Sequence, residues 1–573
     1  MADNKTSTDK PPFYIRHFFL ILVLLGVIGG VAALWIPSNT GWLRQSGLSG
    51  EAEQKSISDL RLHFLYITGG IIAILTLLQT NWKNQGDRLK IDADIKKNEQ
   101  DAEKNERDHV RQVHAERRSR YAKAVEHLAD AKATVRLGGI YTLVGLVDEW
   151  LADDALNPEE RQKEGQVIIN NLCSYIRSPF TLALKAEMFE GDSEPDNYEG
   201  DFSKDQAAFH EEQDVRRTIF VEMSNRSSDT IEEEGEVIET VPGPWSDFDF
   251  DFSRAPIFYP LNAITIEKGN FSSAKFYSNA RFSWATFTQT ANFSEATFTQ
   301  TANFNGAKFT QTANFRGATF AQNADFRGAK FTQTANFSRA TFTQTANFRG
   351  AKFTQTADFR GAKFTQTADF RGAKFTQTAD FRGAKFTQTA DFRGAKFTQT
   401  ANFSKATFTQ TANFAGATFT QTANFSKATF TQTAGFGRAT FTQTADFSGA
   451  TFTQNANFTW ATFTQNANFS EATFSASSPK FMETYEVLRM TFRARFATLP
   501  KNQRADIFTV SEDSFPILLG EAELGDGVKH HIPVGTVLFD PDSWDEEKQE
   551  YTHVSEPAKP LENSDTKEVK PAE

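Results

Sequence analysis

The chain has 573 residues, enough for several domains, a formal net charge of −11, and 57 phenylalanines against 10 tyrosines and 5 methionines. One apolar residue used so heavily excludes an ordinary mixed core and points to a packing position that recurs. A single cysteine, Cys173, excludes an intramolecular disulfide and a cysteine-based metal cluster, and its apolar flanks suit a buried structural thiol.

The N-terminal residues 1–17 carry Lys5, Lys10 and Arg16 ahead of an uncharged run from Phe18 to Ile36. As a helix that run spans ~28 Å, the thickness of a bilayer core. A cleaved signal peptide is the alternative, but the run exceeds a signal core and a second apolar stretch, 62–80, comes directly after it. The reading is therefore two membrane spans joined by a loop at 37–61. Lys83, Arg88, Lys90, Lys96 and Lys97 follow the second span, whereas Arg44, Lys55 and Arg61 in the loop are offset by Glu51, Glu53 and Asp59. The positive-inside bias places both termini in the cytoplasm and the loop outside. Gly26, Gly29, Gly30, Gly69 and Gly70 suit close packing of the hairpin. His63 lies at a span's edge and no ionisable residue sits at either centre, which argues against an ion or proton path.

Residues 81–130 are dense in charge and helical in composition, either a solvated stalk or an oligomeric coiled coil. Three segments have helical apolar spacing: Arg120 to Leu128, Val135 to Val147 and Gln166 to Arg177. The stretch 131–185, above all Val135-Arg-Leu-Gly-Gly-Ile-Tyr, resembles a HEAT-like helical module that precedes pentapeptide repeats in bacterial membrane-anchored proteins. The resemblance brings no catalytic activity. Arg136 is read as a cap on helix carbonyls or a carboxylate partner in preference to a partner contact.

Charge is then segregated. Between Glu187 and Asp251 there are 21 acids against four bases, and residues 186–243 read as a flexible acidic linker. Between Phe271 and Phe474 there are 20 bases against eight acids, a net of +12. Residues 244–270, with Trp245, Phe248, Phe250 and Phe252, read as the N-terminal cap of a repeat array.

Residues 271–478 form that array. Phe271 to Phe474 holds 38 phenylalanines spaced alternately 5 and 6 residues apart, giving 19 units of 11. A helix would put steps of 5 and 6 on two faces at ~100° per residue, and Thr-Gln-Thr and Arg-Gly are poor helix formers. In a strand, alternation turns Ala and Phe inward and Lys or Asp outward, and Arg-Gly and Thr-Gln-Thr supply corners. Ala357-Asp-Phe-Arg-Gly and Ala291-Asn-Phe-Ser-Glu resemble the pentapeptide repeat Ala-(Asp/Asn)-(Leu/Phe)-x-x, in its Phe-rich variant of alternating 5- and 6-residue units. The resemblance implies a right-handed quadrilateral β-helix with four sides per coil. A coil then takes 22 residues and the rod is roughly 45 Å long, whereas an 11-residue coil doubles that length.

Residues 479–540 read as a C-terminal cap in which Phe481, Tyr485, Leu488, Phe492 and Phe496 share a helix face, and 541–573 as a disordered acidic tail. The overall fold class is mixed: two transmembrane α-helices and a small helical module, then a β-solenoid with a C-terminal capping helix. No phosphate loop, nucleophile elbow, HExxH motif or catalytic triad is present. His530 and His531 are adjacent, and adjacent side chains rarely chelate one ion. No catalytic, cofactor-binding or metal-ligating residue and no cofactor is expected. The expected partners are the lipid bilayer through the two spans, a protein of unknown identity, and a second copy through the stalk or membrane hairpin. The reading is a non-enzymatic scaffold on a bacterial plasma membrane, with a signalling or phage-defence component, the helical module its sensor, as the alternative. Mimicry of DNA toward a topoisomerase, or nucleic-acid binding, is disfavoured: mimicry needs a negative rod and this one is basic.

Overall fold

The computed structural model describes residues 16–39, 50–83, 95–191, 193–233, 236–261, 268–486, 490–498, 508–525, 527–547 and 550–561. The chain divides into two compact units, Met1–Thr181 and Leu182–Glu573.

In the first unit, α1 (Phe18–Asn39) and α2 (Gly50–Lys83) pair as a hairpin. A Cβ at Gly29 would come 2.5 Å from Thr68 Cγ2, so this glycine sets the approach. Gly26, Gly30, Gly69 and Gly70 face open space. Phe19, Leu34, Trp35 and Ile67 are more than half exposed, so these apolar helices have no protein cover on much of their surface.

Three further helices form a module: α3 (Ile95–Leu128), α4 (Ala133–Leu151) and α5 (Pro158–Arg177). A Cβ at Gly139 would lie 2.8 Å from the Ala124 carbonyl oxygen, so the second glycine of the Gly-Gly pair admits α3 against α4. Arg136 donates to the carbonyls of Asp130 and Ala131 at 3.0 and 2.8 Å, closing the C-terminal end of α3. Asn157 and Glu160 form a capping box at the start of α5, with Pro158 in its first turn. Ile140, Leu143, Val147, Ile169, Leu172 and Cys173 are buried between the helices.

The second unit begins where a flexible linker was expected, and that expectation fails. Residues Phe202–Ser227 are a helix, α6, started by the Asp201 carboxylate accepting from the Lys204 amide. Phe209, Val215, Ile219, Phe220 and Met223 are fully buried along it. Two strands, Ser228–Glu233 and Glu236–Pro242, then form an antiparallel hairpin. On α6 Glu211 and Asp214 are exposed while Glu212 is buried against Arg216, and the apolar stripe covers the first coil. Phe220 lies 4.5 Å from Phe252 and stacks on Phe271 at 6.5 Å, and Phe209 meets Phe258 at 5.2 Å. The acidic segment is the N-terminal cap, together with Trp245 and Phe248.

The array is a β-solenoid of four parallel sheets. Face one runs from Phe250–Asp251 to Ala467–Asn468 and face two from Pro256–Ile257 to Thr473–Phe474. Face three runs from Ala280–Arg281 to Ala456–Asn457, and face four from Thr286–Phe287 to Thr462–Phe463 before two cap strands extend it. Each residue pairs with the one 22 positions on, as Thr297 with Thr319 and Phe298 with Phe320. A coil therefore uses 22 residues, two of the 11-residue units. Five-residue units form faces one and three and six-residue units form faces two and four, so like faces lie opposite.

The core is four columns of phenylalanine. In the column through Phe331, Phe353 and Phe375 the rings stack 4.8 and 4.9 Å apart and within 1° of parallel. Rings of opposite faces meet edge to face, as Phe348 with Phe359 at 5.4 Å. The alanines fill the space beside them and are buried throughout.

The far end also departs from expectation. Phe481, Tyr485, Phe492 and Phe496 do not share a helix face, and Leu488 lies outside the described residues. Met482–Tyr485 and Met490–Arg493 form an antiparallel hairpin, and Arg495–Ala497 and Val537–Phe539 add strands to face four. Phe481 stacks on Phe458 at 5.3 Å and Phe496 on Phe463 at 5.0 Å. Extended chain continues columns at strand spacing, and a helix would not. Nor are the described residues of 541–561 a disordered tail, while 562–573 lie outside the described residues. Trp544–Asp545 pairs with Glu550–Tyr551, Lys559–Pro560 pairs with Leu519–Glu523, and Tyr551 covers Phe539 at 4.2 Å. A few apolar side chains suffice to fix this acidic stretch as far as residue 561.

Candidate interaction surface

The corner after a five-residue unit is built by the Asp or Asn that precedes its Phe, except where Arg281 and Gly435 take that position. The Asp358 carboxylate accepts the Arg360 amide at 3.0 Å, an Asx turn, and Gly361 follows with φ 63°. In the central coils the carboxylate also holds the arginine side chain. Arg360 Nη2 lies 2.6 Å from Asp358 Oδ2 and Arg371 Nη2 2.5 Å from Asp369 Oδ2, and the pattern repeats at Arg382 and Arg393. These four aspartates are buried. Burial alone would raise the Asp369 pKa, but side-chain and backbone hydrogen bonds from Arg371 outweigh it and hold the group below the usual carboxylate range. Asp and Arg here neutralise and orient each other, so the Asp-x-Arg pattern serves the corner.

The six-residue corner has its own ladder. Thr332 Oγ1 donates to the Phe309 and Thr310 carbonyls at 3.1 and 2.9 Å, and Thr354 and Thr376 do the same one and two coils further. The threonine that follows Phe in this unit thus ties consecutive coils together.

Outward cations with no ion pair among the described residues include Arg316 and Arg339, but of these cations only lysines form a column. The 22-residue register brings Lys308, Lys330, Lys352, Lys374 and Lys396 into consecutive pairing on face four. All five are exposed, and none makes an ion pair among the described residues. The phenylalanines beneath them step by 4.8 to 4.9 Å. Ammonium groups held at that spacing would repel by about 0.9 kcal/mol per neighbouring pair in bulk water. Face two has only Lys363 and Lys385 adjacent, with threonine on either side. Face four thus carries an uninterrupted cation column.

At the start of that column stands Trp284, 73% exposed and in the left-handed region at φ 61°. Its ring lies over Gly306, where a Cβ would have no room. No reading of the sequence separates Trp284 or the column from the other aromatics and lysines, because the signal appears only when residues 22 apart are aligned.

The first unit holds a polar cluster. The Asp153 carboxylate accepts from His114 at 2.9 Å and pairs with Arg117, whose guanidinium lies 4.9 Å over Trp150. Burial pushes Asp153 upward, but the His114 and Arg117 bonds hold its pKa down. Glu164 is raised by burial, against the opposing charge of Arg118. His114, Arg117, Arg118, Trp150 and Glu164 border a cavity of about 480 Å³ with Tyr121, Lys163, and Gly70, Ala73, Ile74 and Thr76 of α2. His530 and His531 are consecutive on a strand and do not converge, His531 lying 3.6 Å from Glu521. Among the described residues no group of three potential ligands is placed to hold a metal ion.

A family model described as pentapeptide repeats (9 copies) matches residues 264–308, 304–352, 348–396, 392–440 and 436–478. Residues 264–478 are a pentapeptide-repeat array. No curated protein and no solved structure matches the chain. The pentapeptide-repeat solenoid is a repeat scaffold, and its alternating corners, four aromatic columns and cation column are written on that scaffold.

Proposed function

We propose that the chain is a membrane-anchored, non-enzymatic scaffold that presents its pentapeptide-repeat solenoid to a protein partner on the cytoplasmic side of a bacterial plasma membrane. The observation that carries the reading is the solenoid itself: a capped rod with a continuous aromatic core, whose aspartates are consumed in building corners. A rod of this kind offers a rigid ruled surface and no enclosed reaction centre. The anchor is supported by α1 and α2, which are long and apolar enough to cross a bilayer and almost wholly uncovered by protein. The distribution of Lys and Arg around them supports cytoplasmic termini.

Cross-linking in intact membranes followed by pull-down, with the full chain and with a chain lacking residues 271–478, tests the reading. A partner captured only by the full chain supports it. An identical set captured by both overturns it.

A sensor role for the helical module has one observation in its favour, the cavity bordered by His114, Arg117, Tyr121 and Trp150. The two readings compete at α2. A helix whose Gly70–Thr76 stretch walls a cavity of arginines cannot hold that stretch in hydrocarbon, because a bilayer disfavours the charged groups beside it.

A further inference from the structure

We propose that face four of the solenoid, with Trp284, is a docking surface for an anionic lipid bilayer. The inference rests on the membrane-anchored reading above. Five exposed lysines stand in register over four steps of 4.8 to 4.9 Å, with no carboxylate paired to any of them among the described residues. Threonine fills the same position in other coils, at Thr286, Thr418, Thr440 and Thr462, so the fold does not require lysine there.

The occupant follows from charge and shape. A straight column of like charges on a flat sheet is complementary to an extended anionic plane, and each lysine near such a surface gains about fivefold in binding. Trp284 adds an exposed indole on the same edge, seated on Gly306 two residues before Lys308, and an indole beside lysines is the side-chain pairing favoured at a headgroup layer. A single nucleic-acid strand asks for an aromatic platform under successive bases. Here every phenylalanine of the array is buried and Trp284 stands alone. The same chain carries two candidate spans, so lipid is within its reach.

The test uses the full chain in lipid nanodiscs, one set wholly zwitterionic and one containing phosphatidylglycerol, with amine acetylation read by mass spectrometry. Tryptic peptides around residues 350–393 are identical, whereas Lys308, Lys330 and Lys396 fall in distinct peptides and report the column. Lys275 on face two and Lys405 and Lys427 at the corner between faces one and two are the controls. The expected result is acetylation of Lys308, Lys330 and Lys396 slowed at least about fivefold in the anionic discs, reversed by high salt, with the controls unchanged. Equal rates in the two discs overturn the proposal. Protection by added duplex DNA or RNA in zwitterionic discs, without protection by anionic lipid, also overturns it. Incorporation into the zwitterionic discs reports the anchor separately, since the spans need no lipid charge; a chain that fails to incorporate overturns the anchor and with it this inference, whereas equal rates in an incorporated chain overturn the docking face alone.

Discussion

Phe447→Ala probes the aromatic column at a coil whose flanking sequence is unique. The Phe447 side chain is fully buried. Its ring stacks on Phe425 and Phe469, each at 5.0 Å, and meets Phe436 and Phe458 edge to face at 5.2 and 5.3 Å. Deleting it loses the transfer term and leaves a cavity that rigid neighbours on four sides cannot fill, so the cost is about 3–5 kcal/mol. Because coils contact only their neighbours, the loss should be local. Paired with Phe293→Ala, many coils away, it should add; paired with Phe469→Ala, in the same column, it should not. Denaturant titration of the full chain in detergent measures the cost, and limited proteolysis locates it. Thr451→Lys, which copies the Lys363 of an equivalent position, is the control and should change stability by less than about 0.5 kcal/mol. A cost for Phe447→Ala below about 1 kcal/mol would refute a stacked, inextensible core.

Other perturbations reach the corners, the hairpin and the polar cluster. Lys405 and Lys427 hold φ of 57° and 56° where most corners have glycine, so Lys405→Gly and Lys427→Gly should each stabilise the array by about 1 kcal/mol in the same titration. Gly29→Leu drives a side chain into Thr68 and should separate α1 from α2, read as loss of a cross-link between cysteines placed on the two helices. Asp153 has a lowered pKa in the folded state, so its contribution is present above the unfolded value near about 3.9 and is lost as pH falls through the folded value. Thermal melts across that acidic window should show a steep loss of stability that Asp153→Asn flattens; parallel profiles would show that the His114–Asp153–Arg117 cluster adds nothing to stability.

The repeat was legible because one residue type marks every inward position: Phe at steps of 5 and 6 defines alternation, and Ala two places before it defines the face. The coil was legible only through the family resemblance, since the sequence repeats every 11 residues and the structure pairs every 22. That factor of two conceals the surface. Lys352, Lys363, Lys374, Lys385 and Lys396 look like one series along the chain, yet the coil sends alternate members to opposite faces and aligns Lys308 and Lys330 with three of them. The caps were hidden for a different reason. The buried Phe209, Val215, Ile219 and Phe220 of α6 are outnumbered by the 21 acids between Glu187 and Asp251, so mean composition spoke for a linker while a sparse stripe decided the fold. At the other end, Phe481 and Phe496 fit a helical spacing, but the ring columns they had to continue demand extended chain.

Whether the solenoid is tethered by two membrane spans is decided by single-cysteine labelling in intact membranes with an impermeant thiol reagent. Cys173→Ala supplies the background, since Cys173 is the chain's sole cysteine and is buried. Cysteines are then placed at Ser46 between the spans, Ile74 within α2 and the exposed Gln454 of the array. A tethered solenoid predicts Ser46→Cys labelled from outside, Gln454→Cys labelled only after permeabilisation, and Ile74→Cys labelled in neither condition. Ready labelling at Ile74→Cys, with Ser46→Cys and Gln454→Cys responding alike, would place α2 out of the bilayer and contradict the anchor.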